Sequence, residues 1–138
     1  MHLNDWKKQG TIAIWKYKPV NRNFPGWHMS CDSLGYDSLL SLLDLLSKQL
    51  PAGKRILKLD KPDIWSASSS LKKTAEAKAM ISLSVDDDKW CLSNENGKFL
   101  VSVGVNKLNG LVDAIKLAKS GEYDFSFGGT KGQNLWFW

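Results

Sequence analysis

The leucines at 39, 42, 43, 46 and 50 recur at the spacing of one face of a 3.6-residue helix, and Leu40 and Leu45 widen the stripe. The spacing predicts a helix over about 38–50, started by Asp37 or Ser38 and stopped at Pro51. A second stripe, Leu108, Leu111, Val112, Ile115 and Ala118, predicts a helix over about 107–119, with Asn106 as its N-cap and Gly121 past its end.

Elsewhere the apolar positions alternate, which is the mark of strands. Gly10–Lys18 is rich in β-branched and aromatic residues and should turn Trp15 and Tyr17 inward and Lys16 and Lys18 outward. Trp27, Met29 and Cys31 alternate with His28, Ser30 and Asp32, so "WHMSC" reads as a half-buried strand, and "SLGY" after it as a turn. Lys54–Asp60 is a short strand. From Ala75 to Val85 every odd position is apolar, which predicts a strand from about Ala79. Trp90 with Leu92, and Phe99 with Val101 and Val103, give two more strands joined at "NENG", where Gly97 can take positive φ. These three strands are expected to form an antiparallel meander, with "DDD" at 86–88 as a tight turn. Tyr123, Phe125 and Phe127 alternate again. In "NLWFW" Trp136 and Trp138 should share one face of a last strand, and Leu135 and Phe137 the other.

The elements predict an α+β fold: a single domain over residues 1–138, with a mostly antiparallel sheet of about six to seven strands and both helices packed on it. No internal repeat and no linker is legible. Hydrophobic residues make up 43% of the chain, enough for a core that needs neither disulfide nor metal. Cys31 and Cys91 are therefore expected as free thiols, and with His2 and His28 they fit no zinc spacing, so no metal and no cofactor are expected. The first ten residues lack a signal-peptide apolar run, and "LLSLLDLL" is too short to span a bilayer, so the expected location is cytoplasmic with no membrane partner.

Candidate chemistry is sparse. His28, Ser30 and Asp32 are the residue types of nucleophilic hydrolysis. On one strand, however, they lie about 6.5–7 Å apart, and Ser would sit between the base and its acid. His28 remains the residue on which a small hydrolase-like enzyme would rest. The net charge of +5 is carried by seventeen lysines and two arginines, a diffuse positive surface rather than an arginine fork. Lys16, Lys18 and Arg22 interleave with Trp15, Tyr17 and Trp27, a pattern that a nucleic-acid surface would use.

Seven tryptophans exceed what one small core readily uses. Trp27, Trp65 and Trp6 are the ones expected at the surface, where indoles anchor interfaces. The favoured reading is a non-catalytic protein-binding module of immunity, adaptor or accessory type, with Trp27, His28, Arg22, Trp65, Lys16 and Lys18 as partner-binding residues. Its partner would be another protein or a second copy of the chain. Nucleic-acid binding through the basic surface and the His28 enzyme are the alternatives.

Overall fold

The structure is a computed structural model. It describes residues 2–18, 26–49, 53–61, 72–123, 125–128 and 132–138. The described residues form two helices, a short 3-10 turn at Leu3–Asp5, and nine strands in two sheets. In chain order these are β1 (Ile12–Lys18), β2 (Trp27–Cys31), α1 (Ser33–Ser47), β3 (Lys54–Lys58), β4 (Lys72–Ala75) and β5 (Lys78–Leu83). They are followed by β6 (Trp90–Glu95), β7 (Lys98–Val103), α2 (Val105–Lys119), β8 (Phe125–Phe127) and β9 (Leu135–Phe137). The α+β class holds, but the expected single sheet is two. The first runs β4-β1-β2-β9-β8 and the second β3-β5-β7-β6. All pairings are antiparallel except β2–β9 and β5–β7.

The strand order contains a repeat that the sequence hides. Each sheet has a four-stranded core made of a hairpin from one half of the chain and two strands from the other. The hairpin β1–β2 leads into α1, and the hairpin β6–β7 leads into α2. Each hairpin then takes a parallel neighbour from the opposite half, β9 beside β2 and β5 beside β7, and β8 and β3 close the two outer edges. β4 alone lies outside this scheme and extends the first sheet beyond β1. One constant shift along the chain carries Trp27 onto Phe99, Met29 onto Val101, Leu39 onto Leu111 and Leu43 onto Ile115. The chain is thus two β-β-α-β-β units that exchange their last two strands. Trp27 and Phe99, equivalent in the two units, pack on each other with ring centroids 5.2 Å apart.

The exchange explains why β5–β6–β7 is not a meander. β5 lies parallel to β7, so the chain must cross from β5 to the far side of β7 before β6 begins. Asp86–Lys89 carry that crossing, and two of their carbonyls are held at the start of α2: Asn106 N donates to Asp87 O at 2.9 Å, and Gly104 N to Lys89 O at 2.8 Å. The N-cap is Gly104 and not Asn106, because a Cβ at 104 would lie 2.1 Å from Asp86 O. A single cluster of buried apolar side chains joins the two sheets and both helices. At its centre Ile14 and Leu135 of the first sheet, Ile81 and Val101 of the second, Leu39 of α1 and Leu111 of α2 line one small cavity.

α1 also starts earlier than its leucine stripe suggests. Asp32 is its N-cap, and Asp32 Oδ1 accepts from Gly35 N at 2.7 Å and from Thr11 N at 2.9 Å. These two backbone donors, Thr11 first, hold the Asp32 carboxyl below the ordinary value of 3.8. A group lowered on folding contributes stability that is complete above the ordinary value and lost as pH falls through the folded one. Asp32→Ala should therefore cost about 0.5–2 kcal/mol at neutral pH. In urea unfolding, the gap between wild type and variant should close as pH falls below 3.8.

Candidate functional site

The outer face of the first sheet, turned away from the shared core, carries the sequence-predicted His28. Trp15 lies beside it on β1, and Trp136 beside it on β9. Three rings surround the imidazole: Trp15 stacks at 5.6 Å, Trp138 at 5.9 Å, and Tyr17 meets it edge-on at 4.6 Å. His28 is fully buried, and its Nδ1 accepts from Trp138 Nε1 at 2.8 Å.

Among the described residues no triad is assembled here. Ser30 follows on the same face, but Asp32 lies beyond the strand as the cap of α1, and Trp138 occupies the ring nitrogen that an orienting acid would use. Cys31 offers no alternative nucleophile. Burial, then the charge of Asp32, pushes its thiol above the ordinary 9.0, so it stays protonated. Cys31 and Cys91 are both free, each half-buried on its strand. Among the described residues no group of His, Cys, Asp and Glu is placed to hold a metal ion.

The expected orientation of β1 is reversed. Ile12 and Ile14 face the shared core, so Trp15 and Tyr17 point to the outer face, where the His28 cluster buries Trp15 completely. Lys16 faces the core side at its margin, with Nζ 4.1 Å from the centre of the Trp27 ring. Trp27 and Trp6, both expected at the surface, are buried. Trp27 packs on Phe99, and Trp6 donates Nε1 to Ser38 O at 2.9 Å. The backbone of Lys18 ends β1 opposite Lys72. Arg22 and Trp65 lie outside the described residues.

The outer face of the second sheet was not singled out by the sequence, because only strand register assembles it. Three rows run across the strands. Ile56, Met80 and Leu100 form the central apolar row, ending at Ser93. On one side Lys58, Lys78 and Lys98 stand directly opposite one another, ending at Glu95. On the other side lie Lys54, Ser82, Ser102 and Cys91. Ile56 is 45% exposed, and Met80 and Leu100 are half-buried. Lys54, Lys58 and Lys78 are exposed, and among the described residues none of the four lysines joins an ion pair. Like charges facing each other on neighbouring strands cost stability. Met80, Lys98, Leu100, Glu95 and Asn96 edge a shallow hollow of about 200 Å³.

The repeat makes the two outer faces comparable position by position. Leu100, Met80 and Ile56 occupy the places that His28, Trp136 and Ser126 hold in the first sheet. One backbone arrangement thus carries an aromatic cluster around a buried imidazole on one side, and an aliphatic row flanked by lysines on the other. Among the described residues no helix is long and apolar enough to cross a membrane. No family model matches the chain, and neither the curated proteins nor the solved structures contain a match to it.

Proposed function

We propose that the chain is a non-catalytic, single-domain module of immunity, adaptor or accessory type that binds another protein through the outer face of its second sheet. The observation that carries this reading is the aliphatic row Ile56–Met80–Leu100, partly exposed on a sheet face turned away from the core cluster of the described residues. Completing the burial of such side chains would contribute roughly 1 kcal/mol each, and the polar rows on either side form the rim that interfaces of this kind carry. The enzyme alternative would rest on a hydrogen-bonded, ring-enclosed His28, beside which the described residues assemble no catalytic acid and nucleophile. Nucleic-acid binding would use the same lysines, but among the described residues this face has no aromatic platform and no arginine fork.

Met80→Glu tests the reading, since it puts a charge in the middle of the row without touching the shared core. The protein partner retained by tagged wild type at moderate salt and after nuclease treatment should be lost from the variant, with Tm changed by only a few degrees. Leu117→Glu, at an exposed position on α2, should retain that partner. Sizing of wild type and Met80→Glu side by side shows whether the partner is a second copy. Equal retention of the same partner by wild type and Met80→Glu would overturn the proposal.

A further inference from the structure

We propose that the segment received by this face is an acidic amphipathic helix, lying across the strands with its apolar stripe on Ile56, Met80 and Leu100 and its acidic flank on Lys58, Lys78 and Lys98. This inference rests on the preceding reading and adds the chemistry of the partner. Neighbouring strands lie about 4.7–4.9 Å apart, so each row presents one side chain at that interval. A helix crossing the strands at right angles offers one side chain per turn on each of its faces, at a pitch of 5.4 Å. The two intervals match closely over three strands, and the charges can meet one to one. The apolar and lysine rows are two residues apart along each strand, about 6.5–7 Å, comparable with the separation of adjacent faces on a helix about 10 Å wide.

An extended segment laid across the strands fits less well, because same-side residues along it repeat at about 6.5–7 Å. The other flank of the apolar row is polar, with Lys54 its only cation, so the acidic residues of the partner belong on the Lys58–Lys78–Lys98 side. Glu95 at the end of the lysine row limits the acidic contact to three strands.

The register itself gives an independent observable. Lys78 stands between Lys58 and Lys98, and reversing its charge turns two repulsive pairs into attractive ones. Lys78→Glu should raise Tm by roughly 1–4 °C while weakening partner binding. Stabilisation with unchanged binding would mean that the lysines serve solubility alone, and the inference would fall.

The direct test uses the intact protein and a labelled synthetic helix of about 14 residues, with leucines on one stripe and glutamates on one flank. The comparison probes are the same composition reordered to destroy the 3.6-residue period, the lysine-for-glutamate version, and an oligothymidylate. The acidic amphipathic peptide should bind, and Lys78→Glu should weaken it about tenfold or more, equivalent to about 1.4 kcal/mol. Lys107→Glu on α2 should bind like wild type. Equal binding of the reordered peptide, equal effects of the Lys78 and Lys107 variants, or no binding of the acidic peptide would each overturn the inference. Tighter binding of oligothymidylate, falling steeply with salt, would overturn it in favour of nucleic acid. The two proposals fail separately: Met80→Glu losing its cellular partner while the peptide is ignored refutes only the acidic helix.

Discussion

Gly35→Ala is expected to destabilise the fold by about 3 kcal/mol or more, although alanine at a helical position ordinarily stabilises by about 1 kcal/mol relative to glycine. A Cβ at 35 would lie 2.0 Å from Thr11 O and 2.9 Å from Thr11 C. Both are backbone atoms, so no rotamer change relieves the contact. The helix start is also fixed in place, since Asp32 N donates to Thr11 O at 3.3 Å and Asp32 Oδ1 takes the amides of Thr11 and Gly35. Moving α1 away from β1 would break those bonds and disturb the packing of Tyr36 and Leu39, both buried. Gly97→Ala is the control. Nothing lies within 4 Å of a Cβ there, and its φ of 78° should cost only about 1–2 kcal/mol of left-handed strain. Urea unfolding of both variants decides the matter. A Gly35→Ala protein as stable as wild type, or more so, would show that the close approach to Thr11 is not a constraint.

The same contact shows why part of this fold was not legible in its sequence. The leucine stripe of α1 was readable because it depends only on spacing. Its first turn was not, because "SLGY" looks like a turn until Thr11 is known to need a glycine against it. α2 repeats the case, with Gly104 chosen by the crossing Asp86 carbonyl and Asn106 left to bond Asp88. Period two located the strands well. The hairpin at Asn96–Gly97 and the alternation of Leu135 and Phe137 against Trp136 are as read. Alternation does not say which strand lies beside which, so the two sheets, the parallel pairs and the repeat were hidden. It also does not say which face of a strand meets the core. That is why the alternation alone turns Trp15 and Tyr17 inward, whereas they gather with Trp138 around His28 on the outer face. The lysine row is the extreme case: Lys58, Lys78 and Lys98 are twenty-residue neighbours in sequence and direct neighbours only through register.

Phe137→Ala is expected to cost about 3–5 kcal/mol, and its counterpart Ile81→Ala about 2–5 kcal/mol, with unfolding remaining a single transition in both. Phe137 is completely buried on β9, between β2 and β8, and stacks on Phe125 at 5.2 Å. Ile81 holds the equivalent place on β5, between β7 and β3. Each of these strands is contributed by one half of the chain to the sheet begun by the other. A void beside either strand therefore weakens a sheet that belongs to both halves. If the two units were independent, damage to β9 would lower the stability of one unit and leave the other to melt later. Because β9 is held by β2, and β5 by β7, neither hairpin keeps its central neighbour once the opposite half has opened. Tryptophan fluorescence reports chiefly on Trp15, Trp27 and Trp136 in the first sheet, on Trp138 just past its β9, and on Trp90 in the second, whereas far-ultraviolet circular dichroism reports on the whole backbone. The two signals should give one coincident urea midpoint for wild type and for both variants. A biphasic curve for Phe137→Ala, with the second sheet surviving the first, would show that the exchange of strands joins the units in topology without joining them in stability.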